Sequence, residues 1–232
     1  MIKNFFFDLD GTLLQMDIDR FTKIYFNGIG NLVSKFSFEE FMSYMNAGIK
    51  AMYKNDGTKT NEEAFISTFE ALSGYNFNEY KDIYDNYYLT NFDECKKACN
   101  INGAARLIVD ILKEKGYRIF IATNPLFPRV ATMKRLEWLG LSIDEFECVT
   151  TYENYHYAKP NPMYFKEICD KFNADPKESV MVGNDVLEDG CCKALGMKLI
   201  LLTDCILNSK NLPIEADSVT TLSEFIEYVK AL

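Results

Sequence analysis

Histidine is almost absent from this chain of 232 residues: His156 is the only one. Seven cysteines are present, an odd number, at Cys95, Cys99, Cys148, Cys169, Cys191, Cys192 and Cys205, and no two have Cys-x-x-Cys spacing. Structural zinc sites are built from closely spaced Cys and His pairs, and disulfide frameworks from an even set, so neither is expected. Cys95 and Cys99 would share a helix face, but the partners a metal would need are missing, and packed free thiols are the expectation. Long apolar runs are lacking too. The opening MIKNFFFDLD is only a few residues long and is closed by acids, unlike a signal peptide or a membrane span, so a cytoplasmic protein with no membrane partner is expected. Basic clusters are also scarce. A net charge of −9 repels nucleic-acid phosphates and anionic lipid on average, so no nucleic-acid partner is expected.

The balance of 48% hydrophobic and 25% charged residues is that of a globular chain, long enough for a core with a smaller attached module. Ile2 to Leu9 is a nearly unbroken apolar run before the turn Gly11-Thr12, the pattern of a strand buried on both faces. Similar short runs occur at Tyr117 to Thr123, Phe146 to Thr151, Ser179 to Gly183 and Lys198 to Thr203. Amphipathic helices are predicted at Ile101 to Lys115, Pro128 to Leu139, Asn161 to Phe172, Glu188 to Leu195 and Leu222 to Leu232. This alternation indicates an α/β fold, a Rossmann-like doubly wound parallel sheet whose ligands sit at the carboxyl ends of the strands. The functional end of the first strand is therefore the one carrying Asp8.

Residues 16–99 break the rhythm. They carry helical patterns at Ile18 to Lys35, Phe38 to Tyr53, Asn61 to Leu72 and Phe77 to Asn91 with no convincing strand between them, and read as an inserted helical cap domain. The catalytic core is then 1–15 and 100–232, with hinges expected near Gln15 to Arg20 and Asn100 to Gly103. Most of the insertion's tyrosines and phenylalanines should be packing residues.

In Phe5-Phe6-Phe7-Asp8-Leu9-Asp10-Gly11-Thr12-Leu13-Leu14, two carboxylates stand at the end of a buried strand, where an unpaired charge is costly. Asp-x-Asp-Gly-Thr-Leu after an apolar strand resembles the first motif of the haloacid dehalogenase-like hydrolase superfamily. The resemblance runs from Ile2 to about Thr203 and places the helical insertion where the family carries a cap of the first type. It implies that Asp8 is a nucleophile forming an aspartyl-phosphate, and that Asp10 protonates the leaving oxygen and then activates water. Members that cleave carbon–halogen bonds lack the second acid, which points to the phosphatase branch.

Later segments follow in the family's order. Ile121-Ala122-Thr123-Asn124-Pro125 matches the second motif, with Thr123 and Asn124 as donors to phosphoryl oxygens. Tyr157-Ala158-Lys159-Pro160 resembles the lysine motif, and Lys159 would neutralise Asp8 and the phosphoryl group. Gly183-Asn184-Asp185-Val186-Leu187-Glu188-Asp189 resembles the acidic motif that holds Mg2+, with Asp8, the carbonyl of Asp10 and Asp185 as ligands and Asp189 behind them. The register there is ambiguous: Gly183 would put Asn184 in the ligand place, whereas the Asp-x-x-x-Asp spacing puts Asp185 there. The second is preferred, because a carboxylate binds magnesium better than an amide. Arg20 and Lys23 are weaker candidates for meeting an anionic substrate, and His156 is taken as structural.

These residues imply a magnesium-dependent hydrolase of small phosphate monoesters, its partner a small phosphorylated metabolite. A phosphomutase on the same core, or a non-catalytic binding protein of the same fold, remains the alternative, and the oligomeric state is left open.

Overall fold

The computed structural model describes residues 1–32 and 35–232. The chain begins with β1 (Asn4–Phe7) and β2 (Gln15–Met16), then runs through α1 (Ile18–Ile29), α2 (Phe38–Tyr53), α3 (Asn61–Ser73) and α4 (Asn78–Thr90). A 3-10 segment, Phe92–Ala98, leads to β3 (Cys99–Asn100) and α5 (Ala104–Glu114). There follow β4 (Arg118–Ile121), α6 (Arg129–Trp138), β5 (Cys148–Val149), α7 (Met163–Phe172), β6 (Ser179–Gly183), β7 (Lys198–Leu202), β8 (Ser218–Thr220) and α8 (Leu222–Ala231).

Six strands form one sheet in the order β5-β4-β1-β6-β7-β8, with every pairing parallel. The unbroken apolar run of β1 has a plain cause. Phe5 and Phe7 face a cluster with Ile108, Leu112 and Phe225, while Phe6 faces the opposite layer with Phe120, Phe165 and Met181. All three phenylalanines are fully buried, each contributing about 1.5–3 kcal/mol. From β1 the chain winds out to β4 and β5, then returns to β6 and continues the other way, so β1 lies at the switch point where such sheets bind ligands.

The helical insertion is present. Ser37 and Glu40 form a reciprocal capping box on α2, and Thr60 and Glu63 form one on α3. The two connections to the core pair with each other as the antiparallel ribbon β2–β3, a feature with no apolar pattern to announce it. Aromatic residues of the insertion, among them Phe21, Tyr25, Phe69 and Phe92, join the same hydrophobic cluster as Phe5 and Phe7.

Some expectations need correction. The first insertion helix ends at Ile29, and residues 33 and 34 of the expected Ile18 to Lys35 stretch lie outside the described residues. Glu188 to Leu195 is not an α-helix: only a 3-10 segment, Gly190–Leu195, forms, because the backbone before it is gathered around the carboxylates of Asp185 and Asp189. Cys95 and Cys99 share no helix face, since Cys99 lies in β3. All seven cysteines are free thiols. Among the described residues, no helix is long and apolar enough to cross a membrane.

Candidate active site

Register brings the motifs together. Phe7 of β1 pairs with Ile121 on one side and Val182 on the other, so Asp8, Ala122 and Gly183 stand at one level at the carboxyl end of the sheet, with Thr123 and Asn184 one residue beyond. The Asp8 N–H continues the ladder to the Val182 carbonyl at 2.9 Å. Immediately afterwards the chain turns through Gly11, at φ 86°, where a side chain would collide with Asn184 as well as strain the backbone.

Lys159 arrives from the loop before α7 and lies between two carboxylates. Its Nζ donates to Asp8 Oδ1 at 2.8 Å and to Asp189 Oδ1 at 2.6 Å, all three side chains being buried. One cation between two anions leaves an excess negative charge. Burial accordingly pushes the Asp8 carboxyl up to about 7, with Lys159 pulling it down and Asp189 adding to the rise. Burial also works against the Lys159 charge, but Asp189 and Asp8 outweigh it and hold the ammonium well above its ordinary range.

The other oxygen of Asp189 accepts from the Asn184 N–H at 3.0 Å and the Asp185 N–H at 2.9 Å, so this residue anchors both the lysine and the acidic loop. Gly183 permits the approach: a Cβ there would lie 2.1 Å from Asp189 Oδ2. Asp185 Oδ1 accepts from the N–H groups of Leu187 and Glu188, both at 2.8 Å. The Asn184 amide has both ends engaged, accepting from Thr12 Oγ1 at 3.0 Å and donating to the Cys205 carbonyl at 2.7 Å.

Thr123 is buried beside Asp8, and its hydroxyl has no hydrogen-bond partner among the described residues. The Asn124 side chain is engaged within the site. Its amide nitrogen donates to the Lys159 carbonyl and to Glu188 Oε2, and its oxygen accepts from the Lys159 N–H, so the side chain clamps the lysine's backbone. Arg20 and Lys23 are exposed on α1 and line none of the cavities around the cleft. His156 faces Glu167, away from the cleft.

A cavity of about 190 Å³ is lined by Asp8, Asp10, Thr123, Lys159, Asp185 and Asp189 among others. Among the described residues, Asp8 Oδ2 and Asp185 Oδ2 accept no hydrogen bond, and the buried Asp10 Oδ1 has no partner. Unpartnered oxygens and excess negative charge are what a hard divalent cation satisfies, so the donor set fits magnesium. Three acidic, histidine or cysteine side chains do not converge on one point among the described residues, and magnesium does not require them, because it retains water and substrate oxygens.

The model of the haloacid dehalogenase-like hydrolases matches residues 5–202, most of the chain. The chain belongs to this family. Among its relatives, the pyrophosphatase PpaX of Anoxybacillus flavithermus is 26% identical over 189 residues, covering 79% of this chain and 75% of that protein. The glyceraldehyde 3-phosphate phosphatase of Methanothermobacter thermautotrophicus is 30% identical over 124 residues, 52% of this chain and 53% of that one. In fold, the chain is similar to an HAD phosphatase from Thermococcus onnurineus, with a TM-score of 0.61, 21% identity and 98% coverage of both chains. It is also similar to the L-2-haloacid dehalogenase of Xanthobacter autotrophicus, with a TM-score of 0.55, 14% identity and full coverage of both.

Two features of this haloacid dehalogenase-like hydrolase were missed in the sequence. Arg135 of α6, with no exposed surface, donates to Asp10 Oδ2, to Thr132 Oγ1 at 3.0 Å and to the Ala131 carbonyl at 3.2 Å. Its guanidinium lies over the Phe127 ring, 4.5 Å from the centroid. The available signal was its helical spacing, four residues from both Ala131 and Leu139 on the buried face. The second is Tyr53, at the end of α2, which donates to Glu188 Oε1 at 2.9 Å and so ties the insertion to the acidic loop. Burial pushes the Glu188 carboxyl upward, against the pull of Lys159 and the hydrogen bonds from Asn124 and Tyr53. Nothing in the local sequence of Tyr53 distinguishes it from the other tyrosines of the insertion.

Proposed function

We propose that this family member is a magnesium-dependent phosphatase that hydrolyses small phosphate monoesters through a phosphoryl group carried on Asp8. The observation that carries the reading is the buried Asp8–Lys159–Asp189 chain of ion pairs at the carboxyl end of the central strand, with Asp10 two residues on. Asp8 attacks phosphorus and the bond from phosphorus to the ester oxygen breaks. Asp10 gives its proton to that oxygen, which leaves as the alcohol. In the second half Asp10 takes a proton from water, whose oxygen attacks the same phosphorus; inorganic phosphate departs and the Asp8 carboxylate is restored.

Lys159 offsets the repulsion between Asp8 and the anionic ester, and the Thr123 hydroxyl donates to a phosphoryl oxygen. Magnesium, held by Asp8, Asp185 and the Asp10 carbonyl, would supply further charge neutralisation at the phosphoryl oxygens. Asp185 is the preferred ligand over Asn184 because it retains an oxygen without a partner, whereas both ends of the Asn184 amide are engaged.

The test is trapping. Protein mixed with acetyl phosphate and magnesium and quenched in acid should gain one phosphoryl group on the peptide containing Asp8, seen by mass spectrometry. A folded sample that turns over phosphate esters yet is never labelled there would overturn the mechanism. Conversion of one sugar phosphate to another without release of phosphate would instead identify a mutase.

A further inference from the structure

Next to the polar cavity lies a second one of about 330 Å³, between the helical insertion and the core, within the size range of small-molecule sites. Asp10, Ile18, Tyr53, Leu126 and Phe127 line both, so the chambers share a wall that contains Asp10. Half of the second chamber's lining residues are aromatic, Phe21, Phe65, Phe77 and Tyr152 among them. Packing usually closes such a space in a protein interior, because each missing contact forfeits dispersion energy and an apolar hole is not filled by water.

Its surface is mostly apolar, and its polar groups are unevenly provided for. Among the described residues, Lys81 carries the chamber's only positive charge, and it is paired with Glu62 at 3.6 Å and Asp85 at 3.7 Å. Tyr25 and Tyr88 satisfy each other, hydroxyl to hydroxyl, at 2.7 Å. Tyr84 is different: its hydroxyl is buried and has no partner among the described residues. A buried donor left unpaired costs about 1–3 kcal/mol, and this one lies behind the chamber's surface rather than on it, so what the chamber presents is the ring of Tyr84.

Resting on the phosphatase reading, we propose that this chamber receives the leaving group, and that the substrates are monoesters of alcohols with a bulky, flat apolar body. A second phosphate, as in pyrophosphate, would enter an aromatic enclosure whose single cation is already paired. A triose would bring hydroxyl and carbonyl groups against walls whose surface is mostly apolar, a desolvation only partly compensated. A naphthyl-sized body loses little water-bonding capacity and gains stacking surface on every side. The chamber thus selects differently from what the names of the chain's relatives state for those proteins.

The experiment compares substrates whose leaving oxygens are alike. Steady-state kcat/KM with magnesium is measured for 2-(1-naphthyl)ethyl phosphate and glycerol 3-phosphate, both esters of primary alcohols, and for pyrophosphate and acetyl phosphate. The naphthylethyl ester should exceed glycerol 3-phosphate by at least about tenfold, the scale on which apolar pockets discriminate. Ile49→Trp, which fills the chamber from α2, should lower that ester's kcat/KM relative to the same variant's value for acetyl phosphate by about tenfold or more. Should the variant not fold, the ratio for the unaltered protein decides. If acetyl phosphate is hydrolysed but the naphthylethyl ester is no better than glycerol 3-phosphate, the chamber is not the leaving-group site while the phosphatase reading survives. If a folded sample hydrolyses none of the four, that reading fails and this inference with it.

Discussion

On the sheet side of the cleft, the buried charges of Asp8, Lys159 and Asp189 have partners, whereas on the helical side the buried hydroxyl of Tyr84 has none among the described residues. The sheet side is rigid by construction, since three parallel strands in fixed register deliver Asp8, Thr123 and the acidic loop to one place. The helical side is assembled from side chains on four helices, and its interior keeps a cavity that close packing would normally remove. The difference teaches where each kind of specificity is built. Charge placement requires backbone ladders and opposed ions, while recognition of an apolar body needs only shape and a dry wall.

The comparison can be broken most sharply at Asp8. Asp8→Asn should reduce phosphate release by at least about a thousandfold while leaving the circular dichroism spectrum intact, because the nucleophile is lost but the neighbouring strands are not. Activity near that of the unaltered protein would send the search to another nucleophile. Next in size is Lys159→Met, which leaves two buried carboxylates facing each other. It should cost about 3–5 kcal/mol in urea unfolding at neutral pH, measured without added metal. A loss below about 1 kcal/mol would mean that the ion pairs do not organise the sheet side.

On the aromatic side, a pair of small substitutions separates a satisfied hydroxyl from an unsatisfied one. Tyr25→Phe breaks the bond to Tyr88 and should cost about 1 kcal/mol, whereas Tyr84→Phe removes an unpartnered hydroxyl and should leave the melting temperature unchanged or raise it. Equal losses in the two variants would show that Tyr84 has a structural partner. The smallest effect is expected far from the cleft, where Arg106 donates to Glu145 at 2.8 Å. The hydrogen bond from Arg106, with further donors from Ser142 and Lys113, holds the Glu145 carboxyl at about 2, below its ordinary 4.5. A lowered folded-state value means that the stabilisation is present above about 4.5 and is lost as the pH falls toward 2. Glu145→Gln should therefore lower the melting temperature modestly at pH 7 and have no further effect near pH 2; an equal effect at both would show that the charge is not what matters.

Much of the sheet was readable because both faces of its inner strands are buried, which leaves an apolar run in the sequence. β6 coincides with the expected segment, and β4 and β7 lie within theirs. β8 was not readable, since Ser218 and Val219 are exposed at the edge and carry no such pattern. Lys159 was legible only through its Lys-Pro context and its order among the motifs; its burial between Asp8 and Asp189 comes from the fold. Arg135 was illegible for the converse reason: a charged residue within a helix reads as solvated unless the side chain it meets in the fold, here Asp10, is already known.

By itself the sequence determined the alternation of buried strands and amphipathic helices, the interruption by a helical insertion, and the acids at the end of the first strand, because these depend on local period and residue type. The tertiary structure alone decided which carboxylates share Lys159, that Asn124 clamps a backbone, and that an aromatic chamber opens beside Asp10. Those outcomes depend on side chains up to 151 positions apart meeting in a low-dielectric interior, where a charge or hydroxyl must find a partner or bear the cost of lacking one.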